Sequence, residues 1–191
     1  STATQRPALL DVMSRFANKM RNDDGFRLAE ALAKSDEFDG MSSRIGRGVV
    51  ACPWRYGKVV EIKFKDIEGG EVNLESLKGK VVLLDFWSTT CGPCIATIPK
   101  LKRLKEKFGK EFENIGVSLD EDIVSVKRLL REKSIQWPQF FDGNGWHNEI
   151  AKKFGVIRLP TVWLIDKRGN LREVDPIEDS LERKIKFLLS D

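Results

Sequence analysis

A short unbroken apolar run, Val81–Leu84, continues through Asp85 into two aromatic residues and predicts a strand buried on both faces. The run ends in a small polar turn that holds the Cys-Gly-Pro-Cys segment Cys91–Cys94. Beyond this turn, apolar residues at three- and four-residue steps predict a helix: Ile95, Ile98, Leu101, Leu104 and Phe108. The pattern therefore places two cysteines where a buried strand passes into the N-terminus of a helix.

Upstream of this strand, alternating apolar positions predict a β-hairpin. The first hairpin strand is indicated by three apolar residues that alternate with charged ones: Val60, Ile62 and Phe64. The segment 66–70 predicts a turn, and the return strand is expected to include Val72 and Leu74.

Downstream of the first helix, strand and helix patterns alternate. Pro99 lies inside that helix and is expected to kink it, because proline donates no hydrogen bond. The later elements are expected to be a strand at 114–119, a helix near 123–130, an extended segment at 137–141, a helix at 147–154, a strand at 162–165, a last short strand, and a helix from Ile177 to Leu188. This order predicts an α/β fold with a central mixed sheet and helices on both faces.

The first 55 residues follow a different pattern. Two short amphipathic helices are predicted before about residue 40, and Gly- and Ser-containing segments then indicate a linker. We therefore expect a helical N-terminal extension and linker at 1–55 and the main domain at 56–191. The chain begins at Ser1 without a signal peptide, so a processed or engineered start is expected, and targeting information could have been removed.

Composition and charge narrow the functional classes. Hydrophobic residues make up 41% of the 191 residues and charged residues 32%, which is typical of a soluble globular protein. The net charge of +4 is mild and no basic stripe alternates with aromatic residues, so nucleic acid is not an expected partner. No apolar run approaches the roughly 20 residues of a membrane-spanning helix.

The cysteine pair is the strongest candidate for chemistry. Free N–H groups and the helix dipole stabilise a thiolate at a helix N-terminus, so Cys91 is expected to be reactive and exposed, and Cys94 more buried. The alternative is half of a zinc site, which needs two further ligands. Only Cys52 and His147 could supply them, and we expect no metal.

Asp85 is the second candidate. A carboxylate inside an apolar strand is costly unless it is paired or takes part in the reaction, and burial should raise its pKa. The alternatives are that its side chain faces solvent or pairs with a lysine such as Lys63 or Lys65.

These residues resemble thioredoxin over 56–191. The resemblance rests on the following segments: Asp85–Trp87, Cys91–Cys94, Pro99 and Leu159–Thr161. The insert between Leu119 and Phe154 is similar to the TlpA/ResA-like thiol–disulfide oxidoreductases, which are bacterial, extracytoplasmic and often membrane-tethered. The resemblance implies a thioredoxin-like fold with an N-terminal β-hairpin and a family-type insert.

The resemblance also implies a role for each residue around the cysteines. Cys91 is the expected nucleophile and Cys94 the resolving cysteine, while Asp85 matches a buried Asp that assists proton removal from the resolving thiol, through water. Gly92 and Pro93 would set the turn and the redox poise. Their Gly-Pro dipeptide is that of thioredoxin, whose potential is near −270 mV, so a reductant is expected. The redox-active disulfide would be the only redox group, with no cofactor.

A substrate groove is implied beside the cysteines. Pro160 matches the cis-proline of the family, Leu159 and Thr161 would flank the groove, and Trp87 would shape the docking surface. The alternatives are a trans proline that starts a strand and a tryptophan that belongs to the core.

The chain departs from thioredoxin at Thr90, where thioredoxin usually has a tryptophan, and this puts partner choice in doubt. ResA-like proteins often use an acidic group near the site. Glu121 or Asp122 could supply it, although a plain surface charge is the favoured interpretation.

Three functions remain open from the sequence. The first is a thiol–disulfide oxidoreductase that reduces protein disulfides and receives electrons from an upstream thiol donor, possibly membrane-bound. The second is a peroxiredoxin-like thiol peroxidase, although the motif Pro-x-x-x-Thr-x-x-Cys is incomplete here. The third is a non-enzymatic docking module of a larger protein. We expect a monomer outside the cytoplasm, with a cytoplasmic location as the alternative.

Overall fold

The apolar run of the sequence forms the central strand of the structure. The computed structural model describes residues 57–176 and 180–191. Strand β3 spans Val81–Trp87, and all seven of its residues are buried. It lies between β4, which runs parallel to it, and β6, which runs antiparallel. The sequence prediction of a strand buried on both faces is therefore confirmed.

The other elements follow the predicted alternation of strands and helices. The strands in the described ranges are β1 (Lys63–Lys65), β2 (Glu71–Asn73), β3, β4 (Phe112–Ser118), β5 (Gln139–Phe140), β6 (Thr161–Ile165) and β7 (Leu171–Val174). The α-helices there are α1 (Gly92–Phe108), α2 (Ile123–Glu132), α3 (Glu149–Phe154) and α4 (Leu181–Ser190). Helix α1 continues through Pro99.

Five strands form one mixed sheet in the order β5-β4-β3-β6-β7. The pairs β3–β4 and β4–β5 are parallel, and the pairs β3–β6 and β6–β7 are antiparallel. The hairpin β1–β2 forms a separate antiparallel sheet. This topology confirms the predicted α/β fold and puts the carboxyl end of β3 at the middle of the sheet edge.

Helices α1 and α4 pack against the same apolar cluster on the sheet. Leu101 and Leu104 of α1 meet Val81 and Leu83 of β3 there, and α4 adds three further apolar side chains: Leu181, Ile185 and Leu188. Burying one such side chain stabilises the fold by about 1.5–3 kcal/mol. This packing fixes α1, and with it the cysteines at its N-terminus, against the central strand.

The hairpin is shorter than predicted. Leu74 was expected in the return strand, but it begins a 3₁₀-helix at Leu74–Leu77. The side chain of Asn73 accepts a hydrogen bond from the backbone N–H of Glu75 at 3.0 Å, and this cap turns the chain out of the strand. Val60 and Ile62 are buried as the alternation predicts, although β1 begins only at Lys63.

Residues 57–153 and 158–191 form one compact unit. The predicted extension at 1–55, including Cys52, lies outside the described residues, as does Ile177 at the predicted start of the last helix. The division at 55/56 therefore stays a prediction. None of the helices in the described part of the chain combines the length and hydropathy that a bilayer crossing requires.

Candidate active site

The two cysteines lie at the junction of β3 and α1. Cys91 is the N-cap residue of α1, and its Sγ accepts a hydrogen bond from the backbone N–H of Cys94 at 3.2 Å. Gly92 and Pro93 are exposed and form the first turn, where proline is tolerated because its missing N–H would have no helical partner. The first-turn N–H groups and the helix dipole therefore favour negative charge on Cys91.

Cys91 and Cys94 are joined by a disulfide bond, with their Cα atoms 5.3 Å apart. Cys91 is partly exposed, whereas Cys94 is 2% exposed and packs in an apolar cluster with Trp87. The predicted difference in exposure is therefore confirmed. An incoming thiol or disulfide can reach the first sulfur of the pair and not the second.

Asp85 lies behind the pair, in the middle of the sheet. It is 5% exposed, and its Oδ1 has no hydrogen-bond partner among the described residues. Burial, and to a lesser extent the negative charge of Asp175, raises the pKa of Asp85 to about 7. Lys63 and Lys65 lie exposed on β1, and no ion pair joins Asp85 to either. Asp85 thus neither faces solvent nor has a cationic partner in the described part of the chain.

A small cavity separates Asp85 from Cys94. Both residues line it, together with apolar and amide side chains: Trp87, Ile98, Ile135, Trp137 and Gln139. Its volume open to the centre of a water molecule is about 10 Å³, which corresponds to roughly one water. The cavity therefore has about the volume of one water, and Asp85 and Cys94 both line it.

The loop before β6 lies beside the cysteines. Its Leu159–Pro160 peptide bond is cis, as predicted. Leu159 is partly buried and packs on the cluster that contains both cysteines. Thr161, however, is buried, and its hydroxyl donates to the carbonyl oxygen of Arg158 at 3.0 Å. Leu159 and Pro160 are thus available to flank a groove, while the Thr161 side chain is turned into its own loop.

The side chain of Trp87 is buried in the core. It is 4% exposed, and its indole N–H donates to Oε1 of Gln139 at 2.9 Å. The side chain therefore lies in the core, where it packs with Cys94 beside the active-site turn, and its part in shaping the docking surface stays a prediction. Gly116 makes room for this contact, because a Cβ at that position would lie 2.0 Å from the same Oε1.

A buried carboxylate that sequence reasoning missed holds the active-site turn. Asp120 accepts hydrogen bonds from the backbone N–H of Thr89 at 3.0 Å and from its hydroxyl at 2.6 Å. The hydroxyl of Ser118 donates to its other oxygen at 2.7 Å. In the sequence, Asp120 directly follows the alternating pattern of a predicted strand. This position was the one signal that could have pointed to it as a site residue.

The two acidic residues that the sequence suggested instead are both exposed. Asp122 caps α2 by accepting from the N–H groups of Val124 and Ser125, and hydrogen bonds to this carboxylate lower its pKa. Glu121 is exposed and lies against Gly145. Both have the surface positions that the favoured interpretation assigned to them.

Comparison with known proteins identifies the family. A sequence model of the AhpC/TSA family matches residues 57–174. This chain belongs to the AhpC/TSA family. The thiol–disulfide oxidoreductase ResA of Bacillus thuringiensis subsp. konkukian (strain 97-27) is 36% identical over 124 residues, which are 64% of this chain and 70% of the relative.

Solved structures agree with this assignment. The thioredoxin domain of a thiol–disulfide oxidoreductase from Bacteroides vulgatus matches with a TM-score of 0.63 and 26% identity, over 70% of this chain and 97% of the other. A thiol–disulfide oxidoreductase from Bacteroides fragilis NCTC 9343 matches with a TM-score of 0.62 and 27% identity, over 69% and 98%. This AhpC/TSA protein is therefore a TlpA/ResA-like member of the thioredoxin superfamily.

The zinc-site alternative needs further ligands from His147 and Cys52. His147 is exposed in a 3₁₀-helix at Gly145–His147, and Cys52 lies outside the described residues. Within 57–176 and 180–191, no group of three or more His, Cys, Asp or Glu side chains could hold a metal ion. The expectation that this AhpC/TSA protein uses no metal and no cofactor stays a prediction.

Proposed function

We propose that this chain is an enzyme that reduces protein disulfides by thiol–disulfide exchange at Cys91 and Cys94. One observation carries the proposal. A partly exposed cysteine at a helix N-terminus is joined to a buried cysteine, and the buried cysteine lines a water-sized cavity together with Asp85, whose Oδ1 has no hydrogen-bond partner among the described residues.

The first step belongs to Cys91 in the dithiol form. Its thiolate attacks one sulfur of a substrate disulfide, the second substrate sulfur leaves as a thiolate, and a mixed disulfide forms. The N–H of Cys94 and the dipole of α1 stabilise the attacking thiolate, because both act at the position of Sγ.

The second step needs a base for a buried thiol. Asp85 takes the proton of Cys94 through a bridging water, which generates a thiolate in a site that bulk solvent does not reach. This thiolate attacks Sγ of Cys91 and forms the disulfide of the structure. The substrate sulfur leaves as a thiolate, so the substrate gains two electrons and the enzyme loses them.

Docking uses the loop beside the cysteines. Leu159 packs on the same apolar cluster as Cys91, and Leu159 and Pro160 are partly exposed, so an extended substrate segment is expected to pair with the backbone there. Thr90 is exposed next to Cys91 and is expected to contribute to the choice of partner. The buried side chains of Trp87 and Thr161 contribute through the shape of the loop and not through direct contact.

The proposed setting is extracytoplasmic, as for the relatives that the sequence resembles. An upstream dithiol, for which a membrane protein is a candidate carrier, would return Cys91–Cys94 to the reduced form. The enzyme would act as a monomer and as a reductant, because the Gly-Pro dipeptide is that of thioredoxin. A measured potential near the −120 mV of a strong oxidant would overturn the direction.

The peroxidase alternative has no support from the turn. Its motif requires a Thr that serves the reactive cysteine, but the hydroxyl of Thr89 is engaged with Asp120 at 2.6 Å. The buried Cys94 already forms a disulfide with Cys91 within one chain.

Two assays separate the functions. Dithiothreitol-driven reduction of insulin should proceed with the native protein and cease in Cys91→Ser. Cys94→Ser should instead accumulate a mixed disulfide that dithiothreitol releases. Peroxide consumption that survives Cys94→Ser would favour the peroxidase, and inactivity of the native protein in both assays would favour the docking module.

A further inference from the structure

Two carboxylates lie in one row across the sheet beside the cysteine pair. Asp85 of β3 is the Cα partner of Val162 in β6. Val162 in turn pairs with Asp175, since its carbonyl oxygen accepts from the N–H of Asp175 at 2.7 Å. Its own N–H donates to Oδ1 of Asp175 at 2.8 Å. Asp175 therefore extends the row by one position past the end of β7.

The backbone of Asp175 has an unusual conformation. Its φ is +47°, in the left-handed region that residues other than glycine rarely occupy. Such a conformation persists only where the surroundings fix it, and it is concentrated at functional sites. Here the two hydrogen bonds with Val162 fix it, and the result is a carboxylate held at a defined position.

A cation completes this arrangement. Arg158 forms an ion pair with Oδ2 of Asp175. Arg158 lies directly before the Leu159–Pro160 peptide, and Val162 lies two residues after Pro160. The carboxylate of Asp175 thus joins the two ends of the cis-proline loop, one by a charge pair and one by a backbone hydrogen bond.

We propose that Asp175 is a positioning residue of the disulfide reductase reaction: it clamps the cis-proline loop, and its carboxylate, held in the same row as Asp85, controls the transfer of the Cys94 proton to Asp85. The proposal rests on the function proposed above, because it concerns the second step of that reaction. Arg158 modulates the effect through Asp175, since its ion pair with that carboxylate favours the ionised form.

Among the residues that the structure describes, Asp175 is the charged group that acts on Asp85. The remaining walls of its cavity are uncharged side chains and Cys94, whose thiol is ionisable once the disulfide is reduced. Across β4 its Cα partner is Gly116, which has no side chain. In this low-dielectric site a charge two strand positions away, on the far side of β6, is weakly screened. The negative charge of Asp175 therefore acts with burial to raise the pKa of Asp85.

The experiment measures the ¹³C NMR chemical shift of the Asp85 carboxyl carbon as a function of pH in the oxidised protein. The Asp85→Asn variant assigns the signal. Asp175→Asn removes the charge, while the Asn Oδ1 can still accept from Val162 and Asn tolerates a positive φ. This variant should lower the titration midpoint of Asp85. Arg158→Gln should raise the higher of the two midpoints, because the coupled pair then binds protons more tightly.

The double variant isolates the route of the effect. In the Asp175→Asn background, Arg158→Gln should leave the midpoint of Asp85 unmoved, because Arg158 acts through Asp175. If Asp175→Asn folds poorly, Asp175→Gly is the second variant, because glycine accepts the same backbone conformation. It should lower the titration midpoint of Asp85 in the same way. An unchanged midpoint in the folded charge-removing variant overturns the proposal.

Activity distinguishes this proposal from the function on which it rests. The pH profile of insulin reduction should move to lower pH in Asp175→Asn together with the NMR midpoint. A shifted NMR midpoint in a protein whose native form reduces no insulin would refute the proposed function and leave the electrostatic control of Asp85 established.

Discussion

Thr89, two residues before the proposed nucleophile Cys91, donates both its backbone N–H and its hydroxyl to the carboxylate of Asp120. The turn that carries Cys91 is thereby tied to the end of β4, and Ser118 holds the carboxylate from the other side. Hydrogen bonds to a charged acceptor stabilise a fold by about 1.5–3 kcal/mol, so this contact should contribute to both stability and activity.

Asp120→Asn tests this contact. An amide oxygen cannot accept all three donors as the carboxylate does, so the free energy of unfolding should fall by about 1–3 kcal/mol. Insulin reduction should also slow, because the turn is less firmly held. Urea unfolding and the insulin assay measure the two effects. Glu121→Gln is the matched control, since its side chain is exposed, and an equal loss in both variants would contradict the argument.

The raised pKa of Asp85 predicts how the free energy of unfolding depends on pH. Its pKa is about 7 in the folded protein against 3.8 for an ordinary Asp, so the folded state binds its proton more tightly than the unfolded state. The stability that this proton provides is complete below pH 3.8 and is lost as pH rises to about 7. At 1.36 kcal/mol per pKa unit the loss is roughly 4 kcal/mol.

Asp85→Asn should therefore flatten the stability profile. Urea unfolding of the oxidised protein from pH 4 to 8 should show the native protein losing stability relative to the variant. The oxidised form is used because disulfide-bonded cysteines do not titrate. A constant difference between the two proteins across this range would refute burial of an ionisable Asp85.

Gly116 and Gln139 should be coupled energetically. Gly116→Ala places a Cβ against Oε1 of Gln139 and should destabilise the fold by about 1–3 kcal/mol through overpacking. Gln139→Ala removes the obstacle but leaves the indole N–H of Trp87 without its acceptor. Urea unfolding of the double variant should show a smaller loss than the sum of the single losses, whereas strict additivity would contradict the close contact.

Pro93→His should make the disulfide more oxidising. The side chain at this position is exposed beside Cys91, and an imidazolium there would stabilise the Cys91 thiolate and so favour the reduced form. We expect a rise in potential on the order of tens of millivolts, measured by equilibration with glutathione. Pro93→Gln serves as the uncharged control, and an equal rise in it would exclude the electrostatic cause.

The parts of this site that depend on local sequence were predictable. The apolar run of β3, the Cys-Gly-Pro-Cys turn and the helix spacing after it are neighbours in the chain, so they fixed the position of Cys91 and Cys94. Asp85 could be identified because a carboxylate is out of place in such a run. The cis peptide at Pro160 followed from the family resemblance, since a trans proline would also have suited the start of a strand.

The features of the site that could not be predicted from the sequence depend on contacts between distant segments of the chain. The position of Trp87 in the core depends on Gln139, 52 residues away, and the clamp on Thr89 depends on Asp120, 31 residues away. Asp175 could not be linked to Asp85 without the register of β6 and β7. Leu74 was misassigned because the cap at Asn73 outweighed the alternating pattern.

The short spacing of the cysteine pair has a consequence for how the protein could be assayed. The disulfide closes a loop with only two residues between its ends, so it removes little chain entropy from the unfolded state. Any large difference in unfolding free energy between the oxidised and reduced forms must then come from the folded state. The oxidised and reduced forms, each folded and unfolded, make up a closed thermodynamic cycle. The difference in unfolding free energy therefore equals the change in the redox potential of the cysteine pair on folding, at about 1.4 kcal/mol per 30 mV. A reductant should therefore melt at a lower temperature after it is reduced, and two melting curves would give the direction in which it transfers electrons.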